Sequence, residues 1–189
     1  MKQFSNFEAK KATGRETLPA GAYIAKILDA KEVSYDRGTI VLLSFDITEG
    51  QYKDFFAKDY KNQDREDKKW RGIFRMREPL DDGSENDRWT KRNFQNSIWA
   101  IQESNPGYYF DWDESKFVGK FVGVLFRNRE WEMNGNTGWT TECCALTSVE
   151  DVRNGTYRQP KDKPLPKASL TPNFTPVNNT NDTDLDLPF

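Results

Sequence analysis

Between Lys68 and Arg77 the sequence reads KKWRGIFRMR, in which Lys68, Lys69, Arg71, Arg75 and Arg77 surround two rings, Trp70 and Phe74, with no acidic residue among them. Cations at this density can neutralise phosphates, and rings set between them can stack on bases, at about 1–3 kcal/mol per base without reading sequence. The same run equally fits a solvated charged face whose Trp70 and Phe74 belong to the core. A second cluster, FRNREW followed across a turn by GW, offers Phe126, Arg127, Arg129, Trp131 and Trp139 for the same chemistry. Its alternative is that Phe126 and Trp139 pack inward, as strand aromatics usually do.

Carboxylate chemistry has one candidate. In DWDESK, Asp111, Asp113 and Glu114 precede Lys116, a set that can hold Mg²⁺ for phosphodiester cleavage. These acids fall in an aromatic loop between a helix and a strand rather than on a hairpin, so a Mg-dependent nuclease is the remote alternative. DDGSEND lacks the ligand spacing of a calcium loop. Histidine is absent and the two cysteines, Cys143 and Cys144, are neighbours, which deprives zinc of its usual ligands and would strain a disulfide between them. There is no Walker-type phosphate loop and no GxSxG elbow. The sequence predicts no enzyme, no metal and no cofactor.

The elements that must position the basic clusters follow from periodicity. A β-prone run begins at LPAGAYIAKILDAKEV, and TIVLLSFDIT alternates with Val41, Leu43, Phe45 and Ile47 on one face. EGQYKDFFAKDYK reads as a turn and a third strand of an antiparallel meander. A helix is expected from about Asp87, with Phe94, Ile98 and Ile101 as its buried stripe and a stop at Asn105-Pro106-Gly107. KFVGKFVGVLFRNREWEMNGNTGWTTECCALT reads as a hairpin about Asn134-Gly135-Asn136, and SVEDVRNG as a short helical turn. Three strands, a helix and a hairpin give the expected fold class: mainly β, a five-stranded Greek-key barrel of the oligonucleotide-binding (OB) type with one helix.

The expected domains are an N-terminal arm at 1–17, the OB-fold single-stranded DNA-binding domain at 18–159, a disordered linker at 160–181 rich in Pro, Thr and Asn, and an acidic tip at 182–189. Lys+Arg 28 against Asp+Glu 30 leaves a formal charge of -2, so the chain as a whole is not a basic nucleic-acid binder. No apolar run approaches the roughly 18–20 residues of a membrane span, and MKQFSNFEAKK has no signal-peptide core. The expectation is a cytoplasmic protein without membrane contact.

The tip, DTDLDLPF, alternates Asp182, Asp184 and Asp186 with Leu185 and Leu187 and closes on Pro188 and Phe189 beside the α-carboxylate. It is too short and acidic to bury itself, so its apolar residues need another surface. This pattern resembles the C-terminal tip of bacterial and phage single-stranded DNA-binding proteins, although Thr183 and Leu185 interrupt the acidic run. LPAGAY, FVGKFVGVLFRN and GWTTECCALTSVEDVRNG are similar to phage or prophage-encoded proteins of that class, over about residues 15–157. The resemblance implies a protein that coats exposed single strands in replication or recombination. Its tip, Asp182, Asp184, Leu185, Asp186, Leu187, Pro188 and Phe189, would recruit helicases, polymerases or recombination enzymes. The alternative is a protein-interaction adaptor that binds no nucleic acid. Oligomeric state stays open, a homo-oligomer included.

Overall fold

In the structure, a computed structural model that describes residues 16–36 and 38–166, a five-stranded antiparallel sheet dominates. Residues 1–15 of the arm, residues 167–181 of the linker and the whole tip, Asp182 to Phe189, lie outside the described residues. The strands are β1 (Gly21–Tyr35), β2 (Gly38–Ile47), β3 (Ile73–Arg77), β4 (Phe121–Met133) and β5 (Asn136–Thr147), in the order β3-β2-β1-β4-β5. The helices are α1 (Phe55–Lys61), α2 (Glu85–Glu103) and α3 (Val149–Asn154).

Strand alternation builds the core. Val41, Leu43, Phe45 and Ile47 of β2 are all buried, and they face Ala25 and Ile27 of β1, Phe74 and Met76 of β3, and Val122, Val124 and Phe126 of β4. Two register shifts bend the sheet, between Ile27 and Asp29 in the β1–β2 ladder and between Leu125 and Phe126 in the β4–β5 ladder. An extra residue on one strand curves it and increases its twist. The second shift leaves Cys144 without a partner, since Leu125 pairs with Ala145 and Phe126 with Cys143. β3 and β5 are the two edges of the sheet, and no ladder joins them.

The turns and α2 form where their residue types demand. Asn134 and Gly135 both take positive φ, 53° and 76°, giving the tight turn that right-twisted strands favour. Ser84 caps α2 by accepting from the Asp87 amide at 3.1 Å, and Phe94 and Ile101 are buried with Ile98 packed beside them. No described helix is long and apolar enough to cross a membrane.

One element differs from its expectation. EGQYKDFFAKDYK holds a helix, α1, and the third strand lies further on, in GIFRMR. The reason is a cap supplied from ten residues upstream. The buried Asp46 carboxylate accepts from Ile47 N at 2.8 Å, Phe56 N at 2.9 Å and Ala57 N at 3.0 Å, which satisfies the open amides of the α1 N-terminus. Phe55 and Phe56 are then both buried, their rings edge to face at 5.2 Å. Asp46→Ala is expected to cost about 3 kcal/mol, because it strands three donors at once, two of them buried, and a urea midpoint like that of the wild type would contradict this role.

The beginning of the expected linker is also placed differently. Beyond Phe126, β4 no longer pairs with β1, and residues 162–165 occupy that vacated edge. Lys163 N donates to Asn128 O at 2.8 Å, Glu130 N to Lys163 O at 2.9 Å, and Leu165 N to the Glu130 carboxylate at 2.9 Å.

Candidate nucleic-acid interface

β3 alternates Phe74 and Met76, which are buried, with Arg75 and Arg77, which are exposed. A strand sends successive side chains to opposite faces, so the same five residues serve the core and present two cations. Neither arginine makes an ion pair among the described residues. Arg71, just before β3, is half-buried and held by Asp59 at 3.1 Å.

On the hairpin, Arg127 pairs in register with Glu142, Arg129 with Thr140 and Trp131 with Gly138. These six residues therefore share one face, and Trp139, opposite Glu130, lies on the other. Glu142 links the two arginines. It accepts from Arg127 Nε at 3.0 Å and Nη2 at 2.7 Å, and from Arg129 Nη1 at 3.3 Å. Burial alone would raise the Glu142 pKa, and the hydrogen bonds and charges of Arg127 and Arg129 outweigh it and hold the carboxyl below its ordinary value. The guanidiniums are thereby fixed in place while keeping donors free.

A groove of about 500 Å³ lies between edge strand β3 and the hairpin. Arg71, Arg75 and Arg77 line it from one side and Arg127, Arg129 and Lys163 from the other, with Glu142 the single carboxylate among the described residues. Six cations to one anion make it strongly basic, although the chain's formal charge is -2. Low-dielectric walls lined by one sign of charge concentrate the field for an anionic ligand. A smaller groove of about 330 Å³ continues it toward α2, sharing Arg75, Arg77 and Arg127 and ending at Trp89.

The structure sorts the sequence-predicted residues. Arg71, Arg75, Arg77, Arg127 and Arg129 converge on one groove. Phe74 and Phe126 contribute to its floor as buried core residues. Trp70 is half-buried against Phe56 and Tyr60, and its indole N–H donates to Phe45 O at 3.2 Å and Gly72 O at 3.1 Å. Lys68 and Lys69 sit away from the groove, Lys68 on Lys61 O at 3.1 Å and Lys69 near Asp67 at 3.7 Å. Trp131 is half-buried and lies over Gly138, where an added Cβ would meet its ring at 2.8 Å. Trp139 is 53% exposed.

Two groove residues escaped sequence reasoning. Trp89, 68% exposed, stands beside the exposed arginines of β3. DRWTKR at the start of α2 carried the signal, a ring among cations at a helix entry. Lys163 was hidden by its assignment to the linker.

Two carboxylates of DWDESK, Asp111 and Asp113, make local contacts. The Asp113 side chain accepts from Ser115 N at 3.1 Å and caps a 3₁₀ turn, Glu114–Phe117, and its hydrogen bonds from Ser115 lower its pKa. Lys116 pairs with Asp111 and, at 3.7 Å, with Asp113. Among the described residues no group of three or more His, Cys, Asp or Glu is placed to hold a metal ion. No protein-family model and no curated protein matches the chain.

Proposed function

We propose that the protein binds single-stranded DNA without reading its sequence, coats exposed strands during replication or recombination, and recruits partner proteins through residues 182–189. The observation that carries the reading is the meeting of arginines from residues 71–77 and 127–129, distant in sequence, in one groove. Phosphates along a strand would meet these cations, and the exposed indole of Trp89 would flank the path as a stacking platform.

The sheet order supports an OB-type reading. Traced around a five-stranded Greek-key barrel, the order is β3-β2-β1-β4-β5 with β3 next to β5, and here those two edges flank the groove. Barrels of this type bind oligonucleotides on the β2–β3 face and on the loops joining β1 to β2 and β4 to β5. In this chain that face carries Arg75 and Arg77, and Trp131 and Trp139 lie just either side of the β4–β5 turn.

Titration with oligothymidylate tests the reading. Binding is expected to quench tryptophan fluorescence and to weaken with salt, with a slope of about 0.7 per contacted phosphate. Trp89→Ala is expected to lose about 1–3 kcal/mol of affinity with an unchanged melting temperature. Absence of binding at low salt would favour the adaptor reading instead.

For the tip, Leu187 and Phe189 are the apolar anchors for a partner's pocket, and the aspartates suit a basic rim. Phe189→Ala is expected to leave strand binding intact and to reduce recovery of replication or recombination proteins in pull-downs at least about tenfold. Equal recovery from both proteins would remove the tip from the proposal.

A further inference from the structure

A second groove, of about 720 Å³, lies where β3 leads into α2 and is unlike the first in charge. Its walls are apolar: Met76 of β3, Phe94, Ile98 and Trp99 of α2, and Phe110 and Trp112 of the following loop. Trp99 and Trp112 are 46% and 81% exposed, a large indole area to leave in water. Glu32, Glu78 and Glu114 also line the groove, and none of them has an ion-pair partner among the described residues. Burial raises the Glu78 pKa, and the charges of Glu32 and Glu114 raise it further. Lys91 and Asp81 also line the groove, and Lys91 is already paired with Asp81 and Asp87. An apolar trough edged by three uncompensated acids suits a segment carrying both rings and cations.

The chain holds such a segment. Residues 2–15, KQFSNFEAKKATGR, combine Phe4 and Phe7 with Lys2, Lys10, Lys11 and Arg15 against the single acid Glu8. The described chain starts beside the basic groove, where Thr17 and Leu18 line it and Leu18 O accepts from Thr141 Oγ1 at 2.7 Å. That groove, with six cations to one anion, repels a basic segment. From Arg71 in the basic groove to Glu78 in the acidic one, β3 and its flanking residues span about 23 Å at the strand rise. Phe7 precedes Glu16 by a stretch that reaches about 30 Å when extended, so the acidic groove is within range.

We infer that residues 2–15 fold back onto the acidic groove of their own chain, with Phe4 and Phe7 against Trp99 and Trp112 and the lysines against Glu32, Glu78 and Glu114. The docked segment covers the exposed indoles and neutralises the rim. It goes beyond the proposed function and involves a different surface.

The test uses the full chain and no nucleic acid, so it is independent of strand binding. A fluorescently labelled peptide of residues 2–15 is titrated into a Phe4→Ala/Phe7→Ala protein, whose own segment no longer competes. Saturable, salt-weakened binding is expected. The wild-type protein is expected to bind the same peptide at least about tenfold more weakly, since its tethered segment competes at roughly millimolar effective concentration. Adding Glu78→Gln and Glu114→Gln to the Phe4→Ala/Phe7→Ala protein is expected to weaken peptide binding about tenfold, with an unchanged circular dichroism spectrum. Equal affinity for all three proteins, or no binding to any, would overturn the inference. So would self-association of the wild type that Phe4→Ala/Phe7→Ala abolishes, because it would put the segment on a second copy.

Discussion

Reversing both free arginines of β3, Arg75→Glu with Arg77→Glu, is expected to lower affinity for oligothymidylate by a hundredfold to a thousandfold. Each side chain is exposed and lacks an ion pair among the described residues, so its full charge is available to a phosphate. A charge-assisted hydrogen bond is worth about 1.5–3 kcal/mol, and two of them lost together account for the lower bound. The glutamates add repulsion in a groove where, among the described residues, Glu142 is the only carboxylate. The salt slope should fall by about 1.4, two phosphates at about 0.7 each. Stability should stay within about 0.5 kcal/mol per site, because neither side chain packs in the core. Anisotropy titrations at several salt concentrations give the answer, and an unchanged dissociation constant would exclude this groove as the strand's path.

Gly72→Ala is expected to destabilise the fold by about 3 kcal/mol or more, the largest stability effect of any single methyl addition on β3 or its approach. A Cβ there would lie 2.2 Å from Phe45 O and 2.7 Å from the Phe56 ring. The first of these is backbone, which cannot turn aside. The glycine carbonyl also accepts from Phe45 N at 2.8 Å and from the Trp70 indole at 3.1 Å, so relief by moving the chain breaks the start of the β2–β3 ladder. Moving that chain displaces Arg71 and Arg75 as well. Denaturant unfolding measures the loss, and a wild-type midpoint would mean that β3 has more room than its contacts allow.

The parts of the fold legible in the sequence were those set by local signals. The alternation of β2, the Phe94–Ile98–Ile101 stripe of α2 and the Asn134-Gly135 turn each carry their own period or dihedral demand. The helix α1 was not legible, because its cap is a side chain from β2 and not from its own N-terminus. β3 was hidden in plain view: Phe74, Arg75, Met76 and Arg77 alternate, yet the density of charge made the segment read as a binding cluster first. That one groove receives both arginine groups depends on sheet order, which no local pattern encodes. The separation of Trp131 from Trp139 depends on pairing register, where one residue of slip exchanges the two faces.

Residues 162–165, laid along the outer half of β4, have a bearing on how the protein behaves in a crowded cell. An unpaired strand edge is a template on which another chain can add, and the far end of a long hairpin is where β1 no longer reaches. By engaging the carbonyl and amide of Asn128 and the amide of Glu130, this short strap removes a site for intermolecular β-pairing at the far end of the hairpin. A protein cut back to the boundary that composition suggests, at residue 159, would keep its core and its groove arginines and yet be prone to aggregate.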